Sequence, residues 1–127
     1  MMEENKNEIA GSIYSEAEAE FLAENIIGRL ATASASGQPH VVPVAYRFDG
    51  TTITFGGWRL ESSLKFKNME ANPRVAFVVD EIVSTRPWTV RGVEVRGEAE
   101  VYQTDSPGFA VKINPKRVTS WGLKKSK

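Results

Sequence analysis

The sequence has 127 residues, of which 41% are hydrophobic and 25% charged, and this balance is typical of one soluble globular domain. The lack of cysteine and the single histidine exclude a disulfide framework, a thiolate nucleophile and the usual zinc ligand sets. The formal net charge is zero, which argues against nucleic acid or a membrane surface as a partner held by bulk electrostatics. Demanding chemistry would therefore have to come from a bound cofactor.

The charges are unevenly distributed along the chain. Residues 1–28 contain seven of the 16 acidic residues and one base, so residues 29–127 hold nine acids against 15 bases. This basic body fits either an anionic small ligand or a surface of solvated lysines. The N-terminus is acidic and polar where a signal peptide would be basic and then apolar, and no apolar run approaches about 18 residues, so we expect a cytoplasmic protein.

Helix caps, turn residues and the spacing of apolar residues divide the chain into short elements. Ser15 and Glu18 form a capping-box pattern at the first helix, and Gly28 is suited to end it. Ser62 or Ser63 is the expected N-cap of the second helix. In chain order, the predicted elements are a helix over 15–27, three consecutive antiparallel strands over 29–36, 40–48 and 51–57, a helix over 62–71, strands over 74–80 and 91–103, and last strands over 109–115 and 116–123.

Some positions carry turn or edge signals. Asp49-Gly50 is typical of a hairpin turn, and residues 81–90, which include Pro87, are expected to form a loop. Pro43 lies inside an otherwise uniform strand pattern. Because proline cannot donate to a β-ladder, its strand should be an edge, be bulged or meet a ligand.

Six or seven short strands with two helices indicate a mainly β domain, a small antiparallel barrel over residues 15–123. No internal repeat, low-complexity segment or long linker divides it. Residues 1–14 are expected to be a flexible tail and residues 124–127 a basic one.

An ordered set of segments resembles the pyridoxamine 5'-phosphate oxidase-like superfamily. The segments are GRLATASASGQPHVVPVAYRFDGTTITF, a helix with Lys65 eight residues before Pro73 in NPRVAFVVD, RGVEVRGEAEV, and the terminal RVTSWGL. The resemblance covers about residues 15–123 and is closest to the small branch of coenzyme F420-dependent oxidoreductases. It implies a split β-barrel of six to seven antiparallel strands with two to three short helices, a homodimer, and two flavin-type cofactor sites at the subunit interface.

The lysines near the start of the second helix bear on anion binding. A helix N-terminus has free N–H groups and a partial positive charge, so a cation there is mildly unfavourable unless an anion binds beside it. In the superfamily, the lysine that matches Lys65 resembles the ligand of the cofactor phosphate, and a serine hydroxyl at the helix start would complete an anion cradle. Lys67 points about 200° away around the helix and is left outside the site.

The resemblance also implies which residues meet the cofactor. The segment 42–47 matches the strand that lines the flavin or deazaflavin ring, and Ser62 and Ser63 occupy the approach to the phosphate, where relatives often have arginine. Arg59 could supply that guanidinium. Trp121 matches an aromatic that reaches the partner's cofactor, or it is a core tryptophan. The implied cofactor-binding residues are Val42, Pro43, Val44, Phe55, Gly56, Arg59, Ser62, Ser63, Lys65, Arg91, Gly92 and Trp121.

Three functional classes stay open. The first is an oxidoreductase that delivers hydride from reduced coenzyme F420, or from FMN, to an unidentified small molecule, with Tyr46 and Arg47 as candidate catalytic residues. We favour F420 because its phosphodiester and glutamate tail need a longer basic groove. The second is a cofactor carrier or sensor without turnover, and the third a structural dimer that has lost its ligand. Pyridoxine oxidation is not expected, because the C-terminal arginine and histidine motif of the true oxidase is missing, and His40 is expected at the surface rather than as a haem ligand.

Overall fold

A computed structural model describes residues 12–57, 59–105 and 108–123. The two α-helices in these ranges are α1 (Glu16–Glu24) and α2 (Leu64–Ala71), and a 3-10 turn over Leu60–Ser62 precedes α2. The seven strands are β1 (Ile27–Ala33), β2 (Pro39–Ala45), β3 (Arg47–Phe48), β4 (Ile53–Phe55), β5 (Arg74–Thr85), β6 (Trp88–Gln103) and β7 (Phe109–Trp121).

All seven strands form one antiparallel sheet in the order β2-β1-β5-β6-β7-β4-β3. The sheet curls into a half-barrel with the two helices on its inner face, and the predicted split barrel is confirmed. β2 is at one end of the order, so the edge strand that Pro43 indicated is confirmed as well. The predicted tail 124–127 lies outside the described residues, and of 1–14 only 12–14 are described. Tyr14 in that stretch is buried and its hydroxyl donates to the Thr51 carbonyl (3.0 Å).

The predicted antiparallel pairings of 29–36 with 40–48 and of 40–48 with 51–57 are present, but the prediction that 40–48 is one strand is wrong. β1 pairs with β2, but the chain leaves the sheet at Tyr46 and continues as β3, which pairs with β4 at the opposite end of the order. The Tyr46 side chain turns into the core, where its hydroxyl donates to the Leu22 carbonyl (2.6 Å) and its ring meets the edge of Phe77 (centroids 5.2 Å apart). The alternation of residues runs on through Tyr46, so it does not reveal the break.

The helix starts are as predicted, and the end of the first helix is not. Ser15 and Glu18 form both hydrogen bonds of the capping box (2.8 and 3.1 Å), and Ser63 is the N-cap of α2. However, α1 ends at Glu24, and Gly28 lies inside β1. A Cβ at Gly28 would come within 2.4 Å of the Phe77 ring, so this glycine permits a core side chain to pack instead of ending a helix.

Two further predictions about the late strands are wrong. Residues 81–90 are not a loop, because β5 and β6 continue to Thr85 and from Trp88 as a hairpin that turns at Arg86-Pro87. The two last strands are one strand, β7. The pairing of β6 with β7 shifts beside Gly97, where Lys116 is the extra residue of a β-bulge, and this local irregularity resembles a turn in the sequence.

Strand alternation separates an inner from an outer face of the sheet. The inner face carries the buried core with helices α1 and α2 above it, including Leu30, Phe77, Val79, Val93, Val95, Val111 and Ile113. We define the outer face by the alternate positions Arg29, Ala31, Ala33, Arg74, Ala76, Asp80, Ile82, Trp88, Gly92, Glu94, Arg96 and Trp121. Among the described residues, no helix has the length and apolar character to cross a membrane.

Candidate functional site

A cleft of about 360 Å³ opens where the chain crosses from β2 to β3. It is bounded by the end of β2, the β3–β4 pair and the facing ends of β6 and β7. Its lining residues are Ala45, Tyr46, Arg47, Thr54, Phe55, Gly56, Tyr102 and Ala110. The break in the strand pattern is thus the feature that creates the cleft.

The structure brings four of the predicted site residues together in this cleft: Tyr46, Arg47, Phe55 and Gly56. Arg47 is exposed and pairs with Thr54 across the short β3–β4 ladder. Gly56 is exposed, and a Cβ there would come no closer than 3.7 Å to the Phe109 carbonyl. The cleft therefore has an exposed cation on one side and a bare backbone edge on another.

The strand that leads into the cleft carries Val42, Pro43 and Val44. Val44 is buried and Val42 is half-buried, and both pack with the core on the inner face. Pro43 is exposed on the other side of the strand. Any contact of the two valines with a ring in the cleft would thus have to go through their backbone.

Tyr46 was a candidate for proton donation, and its geometry is that of a structural residue. Its side chain is only 6% exposed, and its hydroxyl hydrogen is engaged by the Leu22 carbonyl. Burial raises the pKa of the phenol to about 12. The Tyr46 hydroxyl is therefore a buried structural donor rather than a candidate acid of the cleft.

The predicted phosphate-binding residues lie at the 3-10 turn and the start of α2. Arg59 has a left-handed backbone (φ 57°), and its carbonyl accepts from the Ser62 hydroxyl (2.9 Å). The Ser63 hydroxyl donates to the Leu60 carbonyl (2.6 Å) and accepts from the helix N–H of residue 66 (3.3 Å). Both serine hydroxyl hydrogens are thus used within the turn, while the half-buried Lys65 in the first turn of α2 is a cation suited to an anion.

The last predicted residues lie away from the cleft. Arg91 is on the inner face beneath α1, where it bonds Glu81 (3.1 Å) and lies 5.2 Å from the centroid of the Phe21 ring. The next residue, Gly92, is on the outer face, and a Cβ there would meet the Trp121 ring at 2.5 Å. Gly92 and Trp121 are therefore in contact, and alternation places Arg91 on the opposite side of the sheet.

Three cleft residues were missed by the sequence analysis, Thr54, Tyr102 and Ala110, whereas Ala45 lies in the segment 42–47 that the resemblance implied. Tyr102 and Ala110 are cross-strand partners near the end of the β6–β7 ladder. Thr54 and Tyr102 do stand out as polar or aromatic positions in alternating strands. Only the pairing of strands distant in sequence brings them together, so a strand pattern alone could not select them.

A second cleft of about 460 Å³ lies on the outer face. Its floor has the small residues Ala31, Ala33 and Ala76, and its cations are Arg74, Arg96 and Lys116. It contains none of the predicted site residues. In the described part of the chain, no three His, Cys, Asp or Glu residues are grouped so that they could hold a metal ion.

Comparison with known proteins identifies the family. A model of the pyridoxamine 5'-phosphate oxidase family matches residues 14–121. The chain belongs to the pyridoxamine 5'-phosphate oxidase family. A 5a,11a-dehydrotetracycline/5a,11a-dehydrooxytetracycline reductase of Streptomyces rimosus is 37% identical over 87% of this chain and 84% of its own length. Membership and this relative place the chain among the flavin-type oxidoreductases of the family.

Solved structures share the fold of this chain. An FAD-binding protein of Mesorhizobium loti superposes with a TM-score of 0.68 at 27% identity, covering 80% of this chain and 87% of that one. A structure described as F420 reductase gives a TM-score of 0.67 at 22% identity, covering 84% of this chain and 98% of that one. The second likeness is one of fold.

The first cleft fits the flat ring of a flavin-type cofactor. Its volume is near the lower end of the range for small-molecule pockets, which suits a ring system whose phosphate lies outside the cleft. Phe55 supplies an apolar wall, and Gly56 leaves the backbone open to close approach. Lys65 follows nine residues after Gly56, on the adjoining helix. The residues of the cleft therefore fit the ring, and Lys65, which does not line the cleft, is suited to an anion.

Proposed function

We propose that this protein is a reductase that uses a reduced flavin-type cofactor, with coenzyme F420 favoured over FMN, to saturate a carbon–carbon double bond in a small molecule. The observation that carries the proposal is the reductase at 37% identity, whose name describes reduction of a dehydro compound. The cleft where β2 passes into β3 supports the proposal, because its size suits the ring of such a cofactor. A polycyclic dehydro compound of the dehydrotetracycline type is the proposed substrate class.

The chain's own residues would bind the cofactor, orient the substrate and shield both from water. Lys65 would neutralise a cofactor phosphate at the start of α2, while Phe55 and Gly56 would bound the ring. Arg47, exposed at the cleft, is suited to orient an anionic or enolised substrate. When bound, the reduced cofactor supplies the hydride, and a proton from solvent completes the saturated product.

We further propose that a second copy of the chain completes the site. Ile82, Trp88 and Trp121 share one end of the outer face, and their side chains are 57%, 67% and 38% exposed. A monomer seldom exposes such a patch of large apolar side chains without an interaction partner. Burial of this face against a second copy would bring Trp121 of one protomer toward the other, as the family resemblance implies.

The proposal is tested with purified protein and two cofactors. Coenzyme F420 and FMN are each titrated by fluorescence, and the reduced cofactor is then mixed with 5a,11a-dehydrotetracycline. We expect binding and consumption of the reduced cofactor, and no consumption with tetracycline, which lacks the double bond. Stoichiometric co-purified FMN without affinity for F420 would reverse the cofactor preference. Binding without turnover of any dehydro compound would favour a carrier or sensor, and absence of binding would favour a structural dimer.

A further inference from the structure

A buried polar pair joins α2 to the sheet. Asn68 is 4% exposed and Thr32 is 3% exposed, and the Asn68 side-chain amide donates to the Thr32 hydroxyl (3.0 Å). Asparagine is a poor residue for a helix interior, and both side chains are buried on the inner side of the sheet. A buried polar group is costly unless it is paired, so this hydrogen bond holds Asn68 in one orientation.

A third polar side chain borders the pair. His40 of β2 lies directly opposite Thr32 in the β1–β2 register and on the same inner face. Its Nδ1 atom is buried and has no hydrogen-bond partner among the described residues. A polar side chain of β2 therefore lies beside Thr32 on the inner face.

The orientation of α2 decides where Lys65 points. Lys65 precedes Asn68 by three residues, so the two lie on the same side of the helix, one turn apart. The other core contacts of α2 come from Phe66 and Met69, which are buried and apolar. Apolar burial is non-directional, so it permits small rotations of the helix, whereas a hydrogen bond does not.

We propose that Asn68 is a positioning residue, whose hydrogen bond to Thr32 fixes the rotation of α2 and thereby sets Lys65 against the cofactor phosphate. This inference rests on the proposed cofactor site and adds a residue to it. Its consequence is specific: loss of the hydrogen bond should weaken cofactors that carry the phosphate and leave the ring contacts unchanged.

The test compares FMN with riboflavin, which has the same ring and no phosphate. If the protein prefers F420, the pair is F420 and its chromophore without the phosphodiester tail. Thr32→Val keeps the side-chain shape and removes the hydroxyl, while Thr32→Ser keeps the hydroxyl. We expect Thr32→Val and Asn68→Leu to raise the dissociation constant of the phosphorylated probe by about fivefold or more. Thr32→Ser should leave that constant within about twofold of the parent. All three variants should bind the probe without phosphate with a dissociation constant within about twofold of the parent.

Lys65→Ala separates the inference from the site on which it rests. In a Lys65→Ala background, Thr32→Val should cause no further loss of affinity for the phosphorylated probe, since coupled residues give non-additive effects. If Lys65→Ala changes the affinity for neither probe, the proposed phosphate site is wrong and the positioning role of Asn68 is wrong too. If Lys65→Ala weakens binding of the phosphorylated probe, but Thr32→Val weakens binding of both probes equally or of neither, the phosphate site is supported and the positioning role is refuted. Should Asn68→Leu fail to fold, the Thr32 pair decides.

Discussion

At the scale of single residues, Lys65 is the side chain on which the proposed cofactor site depends most. It is half-buried in the first turn of α2, beside serine hydroxyls that are already bonded within the turn. Lys65→Ala should remove a charge-assisted hydrogen bond of about 1.5–3 kcal/mol, or roughly 10- to 150-fold in the dissociation constant of FMN or F420. Fluorescence titration measures this change.

Lys67 is the matched control for that prediction. It is on the same helix, exposed and about 200° around the axis from Lys65. Lone exposed charges contribute little, so Lys67→Ala should bind the cofactor within about twofold of the parent. A larger loss with Lys67→Ala than with Lys65→Ala would refute the phosphate site at the start of α2.

Tyr46 illustrates a residue whose type suggested chemistry and whose contacts indicate structure. Tyr46→Phe leaves the Leu22 carbonyl without its donor, and we expect the free energy of unfolding to fall by about 1–2 kcal/mol in urea denaturation at neutral pH. Turnover per bound cofactor should not change. Tyr102→Phe, at a 40% exposed cleft position, is the control and should leave stability within about 0.5 kcal/mol.

Tyr46→Phe should also change how the free energy of unfolding depends on pH. The folded-state pKa of Tyr46 is raised from 10.0 to about 12, so the unfolded chain loses this proton at lower pH than the folded one. The tyrosine's contribution to stability is thus fully present below pH 10 and is lost as pH rises toward 12. Tyr46→Phe should therefore show a shallower loss of stability between these two values. An unchanged slope would mean that the phenol is not protected as its burial indicates.

At the scale of elements, the local signals were predictable and the long-range ones were not. The caps at Ser15 and Ser63 depend on residues three positions away, so the sequence contains them fully. The break at Tyr46 depends on a core site that Leu22 and Phe77 create from other elements. The same holds for Gly28, whose role is set by Phe77 of a neighbouring strand.

The β-bulge in the β6–β7 ladder is an element whose need for glycine can be tested. A Cβ at Gly97 would lie 2.1 Å from the Asn114 carbonyl oxygen, and backbone there cannot move without disturbing the ladder. Gly97→Ala should cost about 3 kcal/mol of unfolding free energy, measured by urea denaturation. Gly57→Ala, whose new Cβ would have no atom within 4 Å apart from those of its chain neighbours, should stay within about 0.5 kcal/mol of the parent. Equal stability of the two variants would show that the bulge can relax.

At the scale of the whole molecule, the resemblance predicted the fold, and only part of the cleft followed from it. Tyr46, Arg47, Phe55 and Gly56 meet because the chain crosses from one end of the sheet to the other. Arg91 and Gly92 were grouped with them because, at the start of the long strand, they resemble positions that contribute to the ring site in the family. In a strand, adjacent side chains face opposite sides, and this separates the pair unless a second chain joins the two faces.

Assembly is the last property to test, because the proposed site needs it. Ile82→Arg would place a charge among Trp88 and Trp121 on the outer face, and an unpaired charge in an interface is strongly unfavourable. We expect the parent to be a dimer by light scattering at micromolar concentration and Ile82→Arg to dissociate. Ile26→Arg is the control, since Ile26 is also exposed (75% against 57%) but lies between α1 and β1, away from Trp88 and Trp121 in sequence and outside the start of α2. If cofactor affinity falls together with dimerisation in Ile82→Arg alone, the second copy contributes to the site; a parent that is monomeric and binds cofactor fully would show that one chain suffices.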